Sequence, residues 1–277
     1  MTDDHRAELD AATAIARQAA ALVLRHRAAG LVVDSKAGDE PVTDADRAAN
    51  HLIVTELRAA FPDDVILSEE IPDDRSRLGR SRVWMVDPID GTRDFILGDS
   101  GFAVMIGLAV DGRPLLGVVA QPTTGKLYAG VVGQGAWLAV GDEPPAPLRT
   151  STLAQPPGIR LVASKSHRTA RIDAVRAALR ITDEINIGSV GLKIGLVAEA
   201  TRDLYVYTGG RTKIWDTCGP EAVLVAAGGR MTDLEGQALI YDSEDLYNRR
   251  GIVASNGPLH DLVIATIAPF IPRPRAD

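Results

Sequence analysis

The chain has 277 residues, a size at which a single hydrophobic core begins to divide into two. It is 45% hydrophobic and 24% charged, which is ordinary for a globular protein and excludes a disordered or fibrous one. The net charge of −7 argues against a nucleic-acid polymer or an anionic membrane as the main partner.

Cysteine usage and the N-terminus both bear on location. Cys218 is the only cysteine, so no internal disulfide can form and nothing points to secretion. The first ten residues are polar and acidic, unlike a signal peptide, and no apolar run approaches the roughly 18 residues of a membrane span. We therefore expect the protein in the cytoplasm.

The first half of the chain is predicted to hold two helices followed by a mostly antiparallel sheet. Helical spacing of apolar residues predicts a helix over 8–29, ended by Gly30, and a second helix over about 44–60. Asp111-Gly112 is a strong hairpin signal. Strands separated by Gly, Pro and Asp turns are predicted at 65–67, 83–86, 102–110, 115–120 and 126–132.

The second half is predicted to be a separate α/β domain. Five prolines between 141 and 158 mark the boundary, which divides the chain into 1–145 and 146–277. After the boundary, strands alternate with helices, which is typical of helices layered on a sheet. The strands are predicted near 159–163, 184–187, 204–207 and 251–254, and the helices near 169–179, 190–200, 217–227 and 258–268.

Acidic residues are concentrated in one segment. Residues 39–99 carry fifteen Asp and Glu against seven Arg, a net charge of −8. Such a surplus indicates either a solvated acidic surface or a cation site. Four of these acids are predicted to be solvated surface: Asp63, Asp64, Asp73 and Asp74.

The most informative motif is Asp87-Pro88-Ile89-Asp90-Gly91-Thr92, which follows an apolar strand. Two carboxylates three residues apart across a proline-containing turn can converge on one point, with the carbonyl of Ile89 exposed between them. Hard divalent cations prefer such an all-oxygen environment. An Asp-Pro turn with Asx capping explains the same residues without a ligand.

Acidic residues also stand at the ends of three other predicted helices or strands. Each of them can be interpreted either as a cation ligand or as an ordinary structural residue. Glu69 and Glu70 follow a short strand and are either ligands or a solvated strand end. Asp46 stands three residues after Thr43 and also fits a capping box at the start of a helix. Asp216 opens a later helix and also fits a simple N-cap.

Taken in order, these motifs resemble the inositol monophosphatase superfamily of metal-dependent, lithium-sensitive phosphatases. The resemblance covers residues from about 5 to 268. It implies an α+β or α/β fold, a layered α-β-α-β-α sandwich of the inositol monophosphatase and fructose-1,6-bisphosphatase type, with the metal site between two domains and a homodimer. The motifs that carry it are Lys36 with Val42-Thr43-x-x-Asp46, Ser68-Glu69-Glu70, the Asp87–Thr92 motif, and Trp215-Asp216 with Gly228-Gly229.

The resemblance also implies roles for individual residues. The ligands of two or three Mg²⁺ ions are expected to be Glu69, Asp87, Asp90, Asp216 and the carbonyl of Ile89. Catalytic roles are expected for Glu69, Thr92 and Asp46: the first two orient and deprotonate the attacking water, and Asp46 lies near a weaker metal site. Glu70 is expected to hold Glu69 and the metal-bound waters in place without binding the metal itself. Lys36 is expected to lie in the loop next to Asp46.

Further segments resemble the 3′(2′),5′-bisphosphate nucleotidases of the superfamily, including the bacterial CysQ type. The segments are Ala163-Ser164-Lys165-Ser166-His167, Gly188-Ser189-Val190-Gly191-Leu192-Lys193 and the stretch from Ile214 to Glu221. The substrate-binding residues expected from them and from the acidic motif are Gly91, Thr92, Ser164, Ser166, His167, Gly188, Ser189, Lys193 and Asp216. Helix caps at His167 and Ser189 and a solvated Lys193 are the alternatives.

One departure from these relatives bears on the substrate. Some of them carry an arginine at the position that aligns with Tyr207, whereas the nearby cation here is Arg211. The departure affects the substrate assignment and leaves the expected reaction unchanged.

The function implied is Mg²⁺-dependent hydrolysis of a phosphate monoester, specifically of adenosine 3′,5′-bisphosphate to AMP and phosphate, with a place in sulfur assimilation. Within the same chemistry, the alternatives are an inositol monophosphatase or a broad sugar-phosphate phosphatase that accepts fructose 1,6-bisphosphate. Outside it, the alternative is a catalytically silent protein that binds a metal or nucleotide. The complete set of acids argues against the silent protein.

Overall fold

Helices and strands alternate along the computed structural model, which describes residues 4–35, 41–165 and 169–270. The helices are α1 (Arg6–Ala29), α2 (Asp44–Ala60), α3 (Thr92–Ile96), α4 (Ala170–Ala178), α5 (Val190–Ala198), α6 (Ile214–Ala226) and α7 (His260–Ile267). The strands are β1 (Val33–Ser35), β2 (Pro41–Thr43), β3 (Val65–Ser68), β4 (Arg82–Asp90), β5 (Ala103–Val110), β6 (Arg113–Gln121), β7 (Lys126–Val131), β8 (Gly135–Val140), β9 (Ala146–Leu148), β10 (Arg160–Ser164), β11 (Asp183–Ile187), β12 (Leu204–Tyr207), β13 (Arg230–Thr232) and β14 (Ile252–Ser255).

Two sheets of different character make up the body of the molecule. The larger sheet runs β3 to β9 in sequence order, with β3 and β4 parallel and every later pair antiparallel. The smaller sheet has the order β11-β10-β12-β14-β13, in which β11, β10 and β12 are parallel and β14 is antiparallel to both of its neighbours. Strands β1 and β2 form a separate antiparallel pair.

Alternation along the strands explains how the helices layer on these sheets. Trp84 on β4 faces the core formed with α1 and α2, whereas Met85 faces the core that contains α5 and α6. In the smaller sheet, Val162 joins the α5–α6 core and Leu161 joins a third core with α4 and α7. Both sheets are therefore covered on both faces, which confirms the predicted α-β-α-β-α sandwich.

Close packing fixes helix α6 over the larger sheet. A Cβ added to Gly117 on β6 would lie only 1.9 Å from the carbonyl oxygen of Gly219 on α6, and one added to Gly107 on β5 would lie 2.5 Å from the Gly219 nitrogen. Only glycine leaves room for the two backbones to approach so closely. Because α6 cannot shift away without losing this contact, its N-terminus is held in a fixed place relative to β4 and β5.

Local signals predicted most elements of the fold. The structure confirms α1 with Gly30 just beyond its end, α2, the strands of the first sheet up to β7, and the Asp111-Gly112 hairpin, whose two residues have φ angles of 48° and 70°. Strands β8, β9 and β13 were not predicted. The division into domains at residue 145 stays a prediction.

Three local predictions were wrong. The Asp-Pro motif does not end β4 in a turn, because the strand continues to Asp90 with an irregular register between Asp87 and Asp90. Helix α6 begins at Ile214, three residues earlier than predicted. The side chain of Asp64 is only 8% exposed, because it accepts hydrogen bonds from Arg82 and from the Trp84 indole.

None of the helices in the described part of the chain combines the length and apolar character needed to cross a bilayer.

Candidate active site

A cavity of about 300 Å³ lies where the ends of β3 and β4 meet the starts of α5 and α6. Its lining combines acidic residues from the first half of the chain with hydroxyl and cationic residues from the second. A larger cavity of about 570 Å³ lies between α1 and strands β7 and β8, with apolar lining that includes Leu9, Leu127 and Trp137. Only the smaller of these two cavities contains the acids predicted from the sequence, and it is the candidate site.

The acidic wall of the cavity is built from the ends of β3 and β4. Glu69 follows β3, and its backbone N–H bonds to the carbonyl of Val86 on β4 at 3.1 Å, which ties the two strand ends together. Asp87 is 2% exposed, and its Oδ1 accepts the N–H of Ile89 at 3.0 Å. Ile89 is itself buried, and its carbonyl, predicted to be exposed, accepts a hydrogen bond from the Thr92 hydroxyl at 3.0 Å.

Burial, with electrostatic repulsion added to it, raises the pKa values of the clustered carboxyls. Burial and the charges of Glu69, Asp90 and Asp216 raise the pKa of Asp87 well above its usual range. Burial also raises the pKa of Asp90, although the ammonium of Lys193 and the hydroxyl of Ser189 oppose that shift. The pKa of Asp216 is raised well above normal by burial and by the charges of Asp90 and Glu69. These acids therefore share one electrostatic environment despite their separation in sequence.

Two of the acids occupy the same position at the start of a helix. Asp46 is the third residue of α2, and its Oδ2 accepts both the N–H of Thr43 at 2.7 Å and the Thr43 hydroxyl at 2.5 Å. Asp216 is the third residue of α6 rather than its N-cap, and its Oδ2 accepts the N–H of Lys213 at 2.8 Å. Each carboxylate thus caps its helix. Asp216 also lines the cavity, whereas Asp46 is buried behind Thr92 and does not line it.

Thr92 connects the acidic motif to α2. Its hydroxyl lies 3.5 Å from Asp46 Oδ1, a distance at the limit of a hydrogen bond, and closer to the Ile89 carbonyl. Gly91 precedes it in the left-handed conformation, at φ 92°, and starts the short helix α3. A side chain at Gly91 would collide with the carbonyl oxygen of Gly101, so the turn that presents Thr92 requires glycine.

The opposite wall is formed by the turn before α5. The Ser189 hydroxyl and the Gly191 N–H both donate to Asp90 Oδ2, at 2.6 and 3.0 Å. Lys193 is 3% exposed, and its ammonium donates to the carbonyls of Gly188 and Ser189 at 3.0 and 2.6 Å. Burial lowers the pKa of Lys193 to about 8 against the opposing effect of nearby acids. The predicted alternative of a solvated Lys193 is therefore wrong.

Most of the predicted residues line this cavity. Ser164, at the end of β10, and Gly188 do so together with Glu69, Asp87, Asp90 and Asp216, whereas Asp46 is buried and Glu70 is partly buried, and neither lines the cavity. Lys36, Ser166 and His167 lie outside the described residues, so their expected roles stay predictions.

Several lining residues were missed by sequence reasoning. Asp94 is 6% exposed and lies two residues beyond Thr92, a spacing that could have identified it as a further acid of the motif. Lys213 directly precedes the Trp215-Asp216 pair and places its ammonium 5.2 Å from the centre of the Trp215 ring. Thr212 also lines the cavity, and its buried hydroxyl has no hydrogen-bond partner among the described residues.

The candidate ligand atoms are all oxygens, which is the type of ligand that a hard divalent cation prefers. They belong to carboxylates and one backbone carbonyl, and burial together with the charges of the neighbouring acids raises the pKa values of Asp87 and Asp216. Within the described ranges, no three His, Cys, Asp or Glu side chains already lie at the spacing of a finished metal site. The carboxylates are thus close enough to interact, but they do not form a complete coordination shell by themselves.

Comparison with known proteins identifies the class to which this fold and site belong. The Inositol monophosphatase family matches residues 4–270, nearly the whole chain, and the protein is a member of that family.

Particular relatives are similar over most of their length. The chain is 38% identical over 224 residues to the 3′(2′),5′-bisphosphate nucleotidase CysQ of Escherichia coli strain K12, covering 80% of this chain and 88% of that protein. It is 33% identical over 247 residues to the histidinol-phosphatase of Mycobacterium tuberculosis, covering 88% and 91%. The crystal structure of CysQ from Bacteroides thetaiotaomicron superposes with a TM-score of 0.74 at 30% identity, covering 90% of this chain and 97% of that one.

Proposed function

We propose that this protein is a Mg²⁺-dependent phosphate monoester hydrolase, and that its substrate is a 3′(2′),5′-bisphosphate nucleotide such as adenosine 3′,5′-bisphosphate, which it converts to AMP and phosphate. The observation that carries the proposal is the convergence of Glu69, Asp87, Asp90 and Asp216 on the cavity that Thr92 and Asp46 also approach. The similarity to a CysQ nucleotidase supports the choice of substrate.

The reaction exchanges one oxygen at phosphorus. Water attacks the phosphorus, the bond to the sugar oxygen breaks, and that oxygen leaves as the sugar hydroxyl after gaining a proton. Hydrolysis of a phosphate monoester is among the slowest uncatalysed reactions, because a dianion repels the nucleophile. Glu69, Asp87, Asp90, Asp216 and the Ile89 carbonyl would hold Mg²⁺, which when bound neutralises phosphate charge and makes water acidic enough to react at neutral pH.

The chain supplies a route for the proton of the attacking water. If the Thr92 hydroxyl turns its hydrogen from the Ile89 carbonyl to Asp46 Oδ1, it can pass that proton to the carboxylate while its oxygen takes a proton from the attacking water. Asp46 Oδ2 accepts two hydrogen bonds from Thr43, and Oδ1 is the Asp46 oxygen that lies within 3.5 Å of the Thr92 hydroxyl. This route gives Asp46 a more direct part than the weak metal site expected from the sequence, with Glu69 orienting the water.

The second wall suits the rest of a phosphorylated substrate. Arg211, Lys213 and the unpartnered hydroxyl of Thr212 line the cavity opposite the acids and offer donors to a second anionic group. Gly91, Ser164 and Gly188 stay in the proposed substrate-binding set, as do Ser166 and His167. The cytoplasmic location, the homodimer, lithium sensitivity and the place in sulfur assimilation rest on composition and family resemblance.

A parallel rate comparison tests the proposal. Phosphate release is measured from adenosine 3′,5′-bisphosphate, inositol 1-phosphate, fructose 1,6-bisphosphate and histidinol phosphate, each with Mg²⁺ and with a chelator. We expect the highest kcat/KM for adenosine 3′,5′-bisphosphate and none without the metal. Release from no substrate in the presence of Mg²⁺ would leave the catalytically silent binding protein as the better description.

Histidinol phosphate is included because of the match to the M. tuberculosis phosphatase, which covers a larger share of this chain than the match to E. coli CysQ. A higher kcat/KM for histidinol phosphate would keep the reaction and replace the substrate. A preference for inositol 1-phosphate or fructose 1,6-bisphosphate would do the same.

A further inference from the structure

The start of α5 holds one oxygen of a predicted metal ligand. Asp90 ends β4 in the larger sheet, whereas Ser189 and Gly191 stand 99 and 101 residues further along the chain at the start of α5. Both donate to the same oxygen, Asp90 Oδ2. We propose that Ser189 is a positioning residue that fixes the Asp90 carboxylate and leaves Oδ1 as the oxygen available to a cation. This inference rests on the proposed function.

The hydrogen-bonding capacity of the Ser189 hydroxyl is largely used within the protein. Its single hydrogen is directed to Asp90 at 2.6 Å, and its oxygen accepts the N–H of Leu192 at 3.1 Å. The residue is 4% exposed. A hydroxyl has one donor and two acceptor positions, so a substrate could use only the remaining lone pair. A direct substrate contact, expected from the sequence, therefore explains these contacts less well than a role exerted through Asp90.

Backbone strain at Ser189 supports the same role. Its φ angle is 48°, in the left-handed region that glycine occupies at little cost and that other residues rarely adopt. Glycine at this position would relieve the strain and would lose the hydroxyl. A serine kept in such a conformation beside a reactive site indicates that its side chain compensates for the strain.

Lys193 stabilises the turn before α5 through hydrogen bonds to its backbone carbonyls. Its ammonium donates to the carbonyls of Gly188 and Ser189 and lies 5.3 Å from the centre of the Tyr205 ring. The ammonium thereby holds the two carbonyls of the turn, while the hydroxyl of Ser189 and the N–H of Gly191 donate to Asp90. The turn thus presents two donors to one carboxylate oxygen as a preformed unit.

The variant that tests the inference is Ser189→Gly, which suits the backbone and removes the hydroxymethyl side chain. Isothermal titration calorimetry with Mg²⁺ alone measures the dissociation constant of the metal for the full chain. We expect it to rise about 10-fold to 100-fold, the range typical when a group that orients a metal ligand is removed. Turnover of adenosine 3′,5′-bisphosphate and of inositol 1-phosphate should fall by similar factors.

The matched control is Ala200→Gly, which relieves a φ angle of 59° beyond the other end of α5. We expect this variant to keep the wild-type Mg²⁺ affinity and turnover. Thermal unfolding without metal checks that both variants fold. If Ser189→Gly does not fold, Ser189→Cys, which keeps the side-chain volume with a weaker donor, is tested by the same titration and is expected to bind Mg²⁺ more weakly than the wild type.

A Ser189→Gly chain that binds Mg²⁺ as tightly as the wild type would overturn the inference, and a rise confined to the KM for adenosine 3′,5′-bisphosphate would then assign Ser189 to the substrate. A wild-type chain that binds no Mg²⁺ would also overturn it. Failure of the proposed function is a separate result: a wild-type chain that binds Mg²⁺ and releases no phosphate leaves the calorimetric comparison intact.

Discussion

The two walls of the cavity differ in the source of their polarity. The acidic wall, at the ends of β3 and β4, concentrates carboxylates, and burial together with their mutual repulsion raises the pKa of Asp87 and Asp90. The helical wall, at the starts of α5 and α6, presents backbone N–H groups, hydroxyls and the cations Lys193 and Lys213, with Asp216 as its one predicted metal ligand. The difference indicates a division of labour: the acidic wall needs a cation to balance it, and the helical wall positions ligands and selects the substrate.

Removing a charge from the acidic wall should have the largest effect. In Asp90→Asn, the amide oxygen can still accept from Ser189 and Gly191, so we expect an unchanged thermal unfolding temperature. Loss of one carboxylate should lower kcat by more than about 100-fold, beyond the range for groups that act only on a ligand. Phosphate-release kinetics and calorimetry with Mg²⁺ check both effects.

Asp63→Asn is the matched control, since it removes an exposed acid from the same acidic segment. It should have wild-type kinetics. Near-normal turnover in Asp90→Asn would contradict the proposal that the acidic wall holds a cation needed for activity.

Metal removal should expose the repulsion in the acidic wall. The folded chain retains protons on Asp87 and Asp216 that the unfolded chain releases above the ordinary pKa of Asp. Without a divalent cation, the free energy of unfolding should therefore fall as the pH rises above about 4. At neutral pH, Mg²⁺ at 100 times its dissociation constant should restore about 2.7 kcal/mol. Thermal unfolding at pH 5 and pH 8, with Mg²⁺ and with EDTA, measures the difference.

Glu221→Gln separates this effect from other buried acids. Burial raises the pKa of Glu221, which accepts a hydrogen bond from the Tyr241 hydroxyl away from the cavity, to about 7. Its charge also opposes folding as the pH rises towards and past 7. The variant should thus flatten the pH dependence in EDTA while leaving the stabilisation by Mg²⁺ unchanged. An equal unfolding temperature with and without Mg²⁺ at pH 8 in the wild type would contradict a cation at the acidic wall.

A change in the helical wall should alter selectivity more than chemistry. Arg211→Ala removes an exposed cation that lines the cavity, and we expect the KM for adenosine 3′,5′-bisphosphate to rise about 10-fold, equivalent to about 1.4 kcal/mol. The kcat and the KM for inositol 1-phosphate, which has no second phosphate, should change little. The control is Arg249→Ala, because Arg249 is exposed, pairs with Asp245 and does not line the cavity. Equal losses on both substrates would argue against a second anion site at Arg211.

The smallest effect is expected at the start of α2. Thr43→Ala removes the hydroxyl that bonds to Asp46 and caps the helix, which should cost about 1 kcal/mol of stability and lower kcat only a few-fold. Denaturant unfolding and steady-state kinetics measure the two changes. Thr169→Ala removes the corresponding cap of α4 and is the control for stability. A loss of kcat as large as that of Asp90→Asn would show that Thr43 acts in the chemistry itself.

Sequence reasoning succeeded where the determining contacts are local. Gly30 and Thr43 sit beside the ends of α1 and α2, and Asp111-Gly112 forms the hairpin within its own four residues. Strand β13 has only three residues and is held by pairing with β14, which follows 20 residues later, so no local pattern identified it.

The same limit applies to the candidate site. The acids were identified from motif spacing, and four of them, Glu69, Asp87, Asp90 and Asp216, line one cavity, whereas Asp46 and Glu70 do not. Their roles stay predictions. The contact between Ser189 and Asp90 joins residues 99 positions apart, and that between Thr92 and Asp46 joins residues 46 apart. Such pairs depend on how the two sheets and their helices pack. The spacing of residues within each motif carried no information about these pairs.

The contacts that the acids make at helix starts also determine which substitutions in a related protein would indicate that it has lost catalysis. Asp46, Asp90 and Asp216 each accept a backbone N–H at or beside the start of a helix, so a descendant that had lost catalysis would still gain stability by keeping them. Their retention is therefore weak proof of an active enzyme. Asp87 lies in β4, where it accepts the N–H of Ile89 and interacts with Glu69 on the turn after β3. Neither residue stands at the start of a helix, so changes at these two positions are expected to mark the silent relatives first.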